Sequence, residues 1–164
     1  MLRKVILFAL LLLPLGAFAQ EKIAYFNQRE IIVIMPEYKQ MEDSLQKFQL
    51  AVQTEMEILR EEYDKKYQAF MKEADGLIES VKTRRMLEIQ DLDQRYSLYA
   101  EQSQQDYSQL SQALSAPITK KIQDALQAVG AANNFLYILP GEIVLYTSPN
   151  AIDATPLVQK HLKL

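Results

Sequence analysis

The chain has 164 residues, no cysteine, one histidine and a formal net charge of −3, with 49 % hydrophobic and 24 % charged residues. Without cysteine and with a lone histidine no zinc constellation can be assembled, and the four glycines stand too far apart for a dinucleotide or phosphate loop. A weakly acidic chain lacks the basic face that nucleic acid requires, so no nucleic-acid partner is expected.

The chain opens on a targeting pattern. Arg3 and Lys4 precede an apolar run over residues 5–15, and Ala17-Phe18-Ala19 supplies a small-residue cleavage signal. Residues 1–19 are expected to be a signal peptide cleaved after Ala19, leaving an exported, soluble protein. The apolar run is too short to span a bilayer, which takes about 20 residues. Losing Arg3 and Lys4 moves the net charge from −3 to −5. Export permits disulfides, yet no cysteine is available, so stability must come from helix packing and association.

Ile23-Ala24-Tyr25-Phe26 reads as a short strand. Asn27 and Glu30 have capping-box spacing, and residues 31–35 read as a short apolar helix ended by Pro36. Between Pro36 and Pro117 there is no other proline and one glycine, Gly76. Met41, Leu45, Phe48, Val52, Met56, Leu59, Tyr63, Tyr67, Phe70 and Ala74 recur at helical spacing for about nine turns. Val81, Met86, Ile89, Leu92, Tyr96, Tyr99, Ser103, Tyr107, Leu110 and Leu114 form a second such stripe. Facing residues of an antiparallel hairpin have a constant sum of residue numbers. Leu45 with Leu110, Phe48 with Tyr107, Leu59 with Tyr96, and Tyr63 with Leu92 all give 155. Tyr67 with Ile89 and Phe70 with Met86 give 156. A long helical hairpin over residues 37–117 is therefore expected, with Gly76 as a helix C-cap and Ser80 as an N-cap at its tip. The first stripe repeats every 11 residues, which predicts nearly straight arms.

Past the hairpin, Pro117 predicts a kink, Gly130 a C-cap, and Asn133-Asn134 a turn. Residues 135–139 and 143–147 read as two strands joined by a turn at Pro140-Gly141. Asp153 or Thr155 would cap a last helix with Pro156 at its first position. The fold class is thus mostly α with a small β body. A single domain over residues 20–164 would divide into a body (20–36 and 118–164) and a long antiparallel hairpin (37–117).

No catalytic, metal or cofactor constellation emerges, and the chain is not expected to be an enzyme. His161 reads as a solvated side chain near a helix C-terminus. The carboxylates lie on helix faces that carry both signs of charge, which normally means solvation. More informative are apolar residues off the hairpin seam: Leu50, Ile58, Met71, Leu87 and Leu98, a candidate contact surface for clients. In the body, Tyr25, Leu136, Ile138, Val144 and Tyr146 belong to short strands with open edges, which invite pairing with another chain.

The order of signal peptide, strand, long hairpin, two strands and short helix resembles the Skp/OmpH family of periplasmic chaperones. The resemblance is carried by Lys22-Ile23-Ala24-Tyr25-Phe26-Asn27, Pro36-Glu37-Tyr38, Pro117-Ile118 and residues 153–162, including Thr155-Pro156-Leu157-Val158. It implies a homotrimer in the periplasm, joined through its β body, whose hairpins surround a cavity. Unfolded outer-membrane β-barrel proteins would be held there without ATP or any cofactor. Basic members of that family have positive hairpin tips, whereas residues 61–88 here carry six basic and seven acidic side chains. A weak contact between the tip and a membrane surface is the most that this balance implies. The second reading is a structural or adaptor coiled coil of the cell envelope. Such hairpins are flanked by long β-domains, for which these β segments are too short.

Overall fold

The computed structural model describes residues 22–164; the expected signal peptide lies outside them. In chain order the elements are β1 (Lys22–Phe26), α1 (Gln28–Ile32), α2 (Pro36–Glu73), a 3-10 turn (Ala74–Gly76) and α3 (Glu79–Asn133). They are followed by β2 (Phe135–Pro140), a second 3-10 turn (Gly141–Ile143), β3 (Ile152–Asp153) and α4 (Thr155–Leu162). The protein is mostly helical with one small parallel sheet, the expected fold class.

Pro36 occupies the first turn of α2, where its missing N–H costs nothing. The 38 residues of α2 and the 55 of α3 correspond to about 57 and 82 Å at 1.5 Å per residue. At the tip two expectations are corrected. The C-cap of α2 is Ala74, in right-handed helical conformation, and Gly76 has no positive φ. The turn tightens into a 3-10 segment instead, and that geometry places no special demand on glycine. Helix α3 starts at Glu79 after an extended Ile78 with no side-chain cap, so Ser80 lies inside the helix.

Farther along, α3 continues through Pro117 and past Gly130, which is not a C-cap. The helix ends at Asn134, in the left-handed region at φ 54°, ψ 44°. An asparagine tolerates that conformation, and the preceding Asn133 side chain donates to the Val129 carbonyl at 2.8 Å. Gly130 instead lies close to β2: a Cβ placed there would sit 3.6 Å from Ile138 Cδ1.

The sheet has order β2-β1-β3, with both neighbours parallel to β1. This corrects the expected two-strand hairpin. Residues 143–147 form no strand, and Pro140-Gly141 leads into a 3-10 turn rather than a reversal. Parallel strands require a crossover, and the connection from β1 to β2 is the entire α1–α3 segment. The long hairpin is therefore a crossover drawn out into an arm. The free edge of β1 is taken by Ile152 and Asp153, pairing with Ala24 and Tyr25. That leaves residues 143–147 with no partner strand among the described residues.

The core collects where the arm meets the sheet. Ala24 and Phe26 of β1, Ile31, Met35, Ile118, Ile122, Ala125 and Val129 of α3, and Ala154 and Val158 form one buried cluster. Its entry is fixed by a polar latch. The Asn27 N–H donates to Thr155 Oγ1 at 2.9 Å across 128 residues, and the Thr155 N–H donates to Asp153 Oδ1 at 2.8 Å. Asn27 Oδ1 still caps α1 through the Glu30 N–H, and the Glu30 carboxylate accepts from Asn27 Nδ2. Half of the expected capping box is thus replaced by the contact with Thr155. Asp153 accepts at the start of α4, and Pro156 is the second residue of that helix.

Candidate functional site

The hairpin exposes most of the molecule's chemistry, so the seam must be located before any surface can be read. Leu59, Leu92 and Ser103 are buried in it. The rings of Phe48 and Tyr107 meet with centroids 6.1 Å apart, and Leu59, Tyr63, Leu92 and Tyr96 line one recess. These contacts agree with the constant sum of 155.

Near the tip the expected seam is corrected. Tyr67 and Met86 are 44 % and 53 % exposed. Lys66 and Arg85 are half-buried in their place, between half-buried Phe70, Ala74, Val81 and Ile89. Lys66 with Ile89 and Phe70 with Arg85 restore the sum of 155. Choosing the most apolar residue at each turn displaced two positions by one step. The long stems of lysine and arginine cover apolar surface while their charges reach water. Here those charges are paired, Lys66 Nζ with Glu88 at 3.1 Å and Arg85 Nη1 with Glu73 at 2.7 Å. The hydrogen bond from Lys66 holds the Glu88 carboxyl below its ordinary range. At the base of the arms Lys121 donates to Glu37 and lowers that carboxyl likewise.

The five off-seam apolar residues are all 52–59 % exposed. The arms do not gather them onto one face. Leu87 and Leu98 are 11 residues apart on α3 and return to the same side after three turns. Ile58 lies level with Leu98, on the flank preceding the seam. Met71 lies on the opposite flank, and Leu50 points away from the seam. Sequence reading missed Tyr67 and Met86, which join Met71 there. Each follows a seam residue by one helical step, and strict adherence to the sum of 155 would have found them.

In the body, Leu136 is exposed, Tyr25 and Val144 are half-buried, and Tyr146 is 80 % exposed. Ile138 differs: it packs against the chain's own core. Leu145, at 101 % exposure, and Tyr137 were not anticipated. Ile23, paired with Tyr137 in the sheet, is exposed as well, as are Leu139 and Ile143, and the outer edge of β2 is unpaired among the described residues.

Among the described residues no group of three or more His, Cys, Asp or Glu is placed to hold a metal, and no helix is long and apolar enough to cross a membrane. Fold and surface together define a hairpin-on-sheet protein that presents apolar side chains along extended arms. Family comparison makes this specific: the family described as outer membrane protein (OmpH-like) matches residues 22–162, and the chain belongs to it. Among solved structures, the fold is similar to the crystal structure of a candidate OmpH-like outer membrane chaperone from Caulobacter crescentus CB15. The two share 16 % identity at a TM-score of 0.76, over 88 % of this chain and 85 % of that one. No curated protein matches the chain.

Proposed function

We propose that this protein is an ATP-independent holdase of the periplasm that keeps unfolded outer-membrane β-barrel proteins from aggregating. The observation that carries the reading is the hairpin surface. Five large apolar side chains stand more than half exposed on arms whose own seam does not use them. Contacts of this kind are numerous, individually weak and adaptable, so a client can leave without an energy source. Family membership and the fold of the Caulobacter protein support the same reading. The open edge of β2 and the exposed 143–147 segment support assembly through the body, and a homotrimer is the proposed state. Export would follow from the signal peptide at residues 1–19.

The test is suppression of aggregation of a urea-unfolded β-barrel protein diluted into buffer. Single changes of Leu50, Ile58, Met71, Leu87 or Leu98 to Ser should barely weaken holding, and the fivefold variant should fail. Burying each side chain contributes on the order of 1 kcal/mol, a part of the roughly 1.5–3 for complete burial. A fivefold variant that holds as well as the parent removes these residues from the reading. A parent that does not suppress aggregation removes the reading itself.

A further inference from the structure

The chain has no cysteine, so methionine is its only source of sulfur. Outside the expected signal peptide there are five methionines, and they divide by position. Met35 is buried in the core at 1 % exposure. Met41 packs against that core, Met56 lines the cleft between the arms, and both are half-buried. Of the five, Met71 and Met86 stand more than half exposed.

The register puts this exposed pair on one patch. Met71 and Met86 follow the seam residues Phe70 and Arg85 by one helical step, and both arms turn that position to the same flank. By the sum of 155, the α3 residue level with Met71 is Arg84, so Met86 stands two steps along the axis from it, about 3 Å. Tyr67 is level with Glu88, two steps to the other side of Met86. The Tyr67 ring is braced by its stack on Tyr63, with centroids 5.9 Å apart and planes within 5°. The patch is thus two flexible thioethers beside a braced aromatic ring. Neither sulfur belongs to the core cluster, and the seam at this level uses Phe70 and Arg85 instead.

We infer that Met71 and Met86 form an oxidant-sensitive contact site, at which a peroxide turns two apolar client contacts into polar sulfoxides and weakens holding. This deepens, and rests on, the holdase reading. Thioethers suit a surface that must fit many partners. They are flexible and polarisable and make favourable contacts with aromatic side chains, which membrane β-barrels carry in girdles. The same sulfurs are reactive. A sulfur lone pair attacks one peroxide oxygen, an S–O bond forms and the O–O bond breaks. The departing hydroxide takes the proton of the transferred hydroxyl and leaves as water. Sulfur is oxidised by two electrons, and the peroxide is reduced by the same two. The product side chain is polar and chiral, and methionine sulfoxide reductases reverse the change. Exposure admits the oxidant to Met71 and Met86, whereas burial keeps it from Met35. Because neither exposed side chain supports the seam, the loss falls on client contact and leaves the hairpin folded.

The test treats residues 20–164 with hydrogen peroxide and maps the products by peptide mass spectrometry. Met71 and Met86 should each gain one oxygen first, Met41 and Met56 later, and Met35 last. Affinity is read from the emission of a urea-unfolded β-barrel protein that contains tryptophan, since this chain has none. Oxidation of the pair should weaken binding about tenfold, with helicity by circular dichroism unchanged. Methionine sulfoxide reductases for both epimers should restore it. Met71→Leu/Met86→Leu keeps the apolar area without the thioethers. It should bind within about twofold of the parent and keep that affinity after peroxide. Met71→Gln/Met86→Gln should be weakened about tenfold with no oxidant added. The inference is overturned if Met41 or Met56 oxidises as fast as the exposed pair. It is overturned as well if the leucine variant loses as much affinity to peroxide as the parent, or if the oxidised parent binds as tightly as before. A parent that binds no client before treatment removes the holdase reading and the client half of this inference with it. The order of oxidation, read by mass alone, keeps the two failures apart.

Discussion

The seam register near the tip can be tested by comparing two truncations that residue type alone would rank as equals. Leu92 is nearly inaccessible at 2 % exposure, whereas Met86 faces solvent. Leu92→Ala removes about three buried carbon groups. At about 0.8 kcal/mol each the transfer loss is ~2.4 kcal/mol. The cavity penalty that raises such losses toward 5 kcal/mol in closed cores should be small here, because the cleft beside the seam lets water or a shifted side chain fill the gap. Met86→Ala should cost less than about 0.5 kcal/mol, as surface changes do. Arg85→Ala should fall between them, about 1 kcal/mol, through its lost stem packing and its pair with Glu73. Urea unfolding of residues 20–164, followed by circular dichroism at fixed protein concentration, gives all three. If Met86→Ala destabilises as much as Leu92→Ala, or Arg85→Ala is silent, the register is wrong.

Thr155→Val keeps the shape of a buried side chain but leaves the Asn27 N–H without its acceptor. An unsatisfied buried donor costs about 1–3 kcal/mol, and the same urea series should show that loss. The pair of Glu37 and Lys121 predicts a pH effect of definite sign. The folded carboxyl titrates below its ordinary 4.5, so its contribution is complete above that value and is lost as pH falls through the lowered one. Both side chains are substantially exposed, so the effect should stay below about 1 kcal/mol. Glu37→Gln should lower the urea midpoint slightly at pH 7, and the difference from the parent should shrink as the pH falls below 4.5. For the body, Leu145→Asp/Tyr146→Asp should reduce the mass measured by sedimentation while the helices remain folded, since neither side chain contributes to the core. Ile138→Asp should unfold the body itself, because that side chain packs on the core. If Leu145→Asp/Tyr146→Asp retains the oligomer mass, the proposed assembly surface is wrong.

The helical hairpin was legible because its information is local and repeated. Apolar residues return every three or four positions along both arms, and one arithmetic relation fixes their pairing. The exposure of Leu50, Ile58, Met71, Leu87 and Leu98 was legible for the same reason, since their positions turn away from the facing arm. Along the seam, residue type failed where a charged stem does an apolar side chain's work, at Lys66 and Arg85. The sheet was different. Residues 143–147 have strand composition, but a strand exists only through a partner. Composition cannot tell which segment reaches the edge of β1. Tertiary structure gave that edge to Ile152 and Asp153, which carry almost no strand signal, because the Asn27–Thr155–Asp153 latch fastens them there.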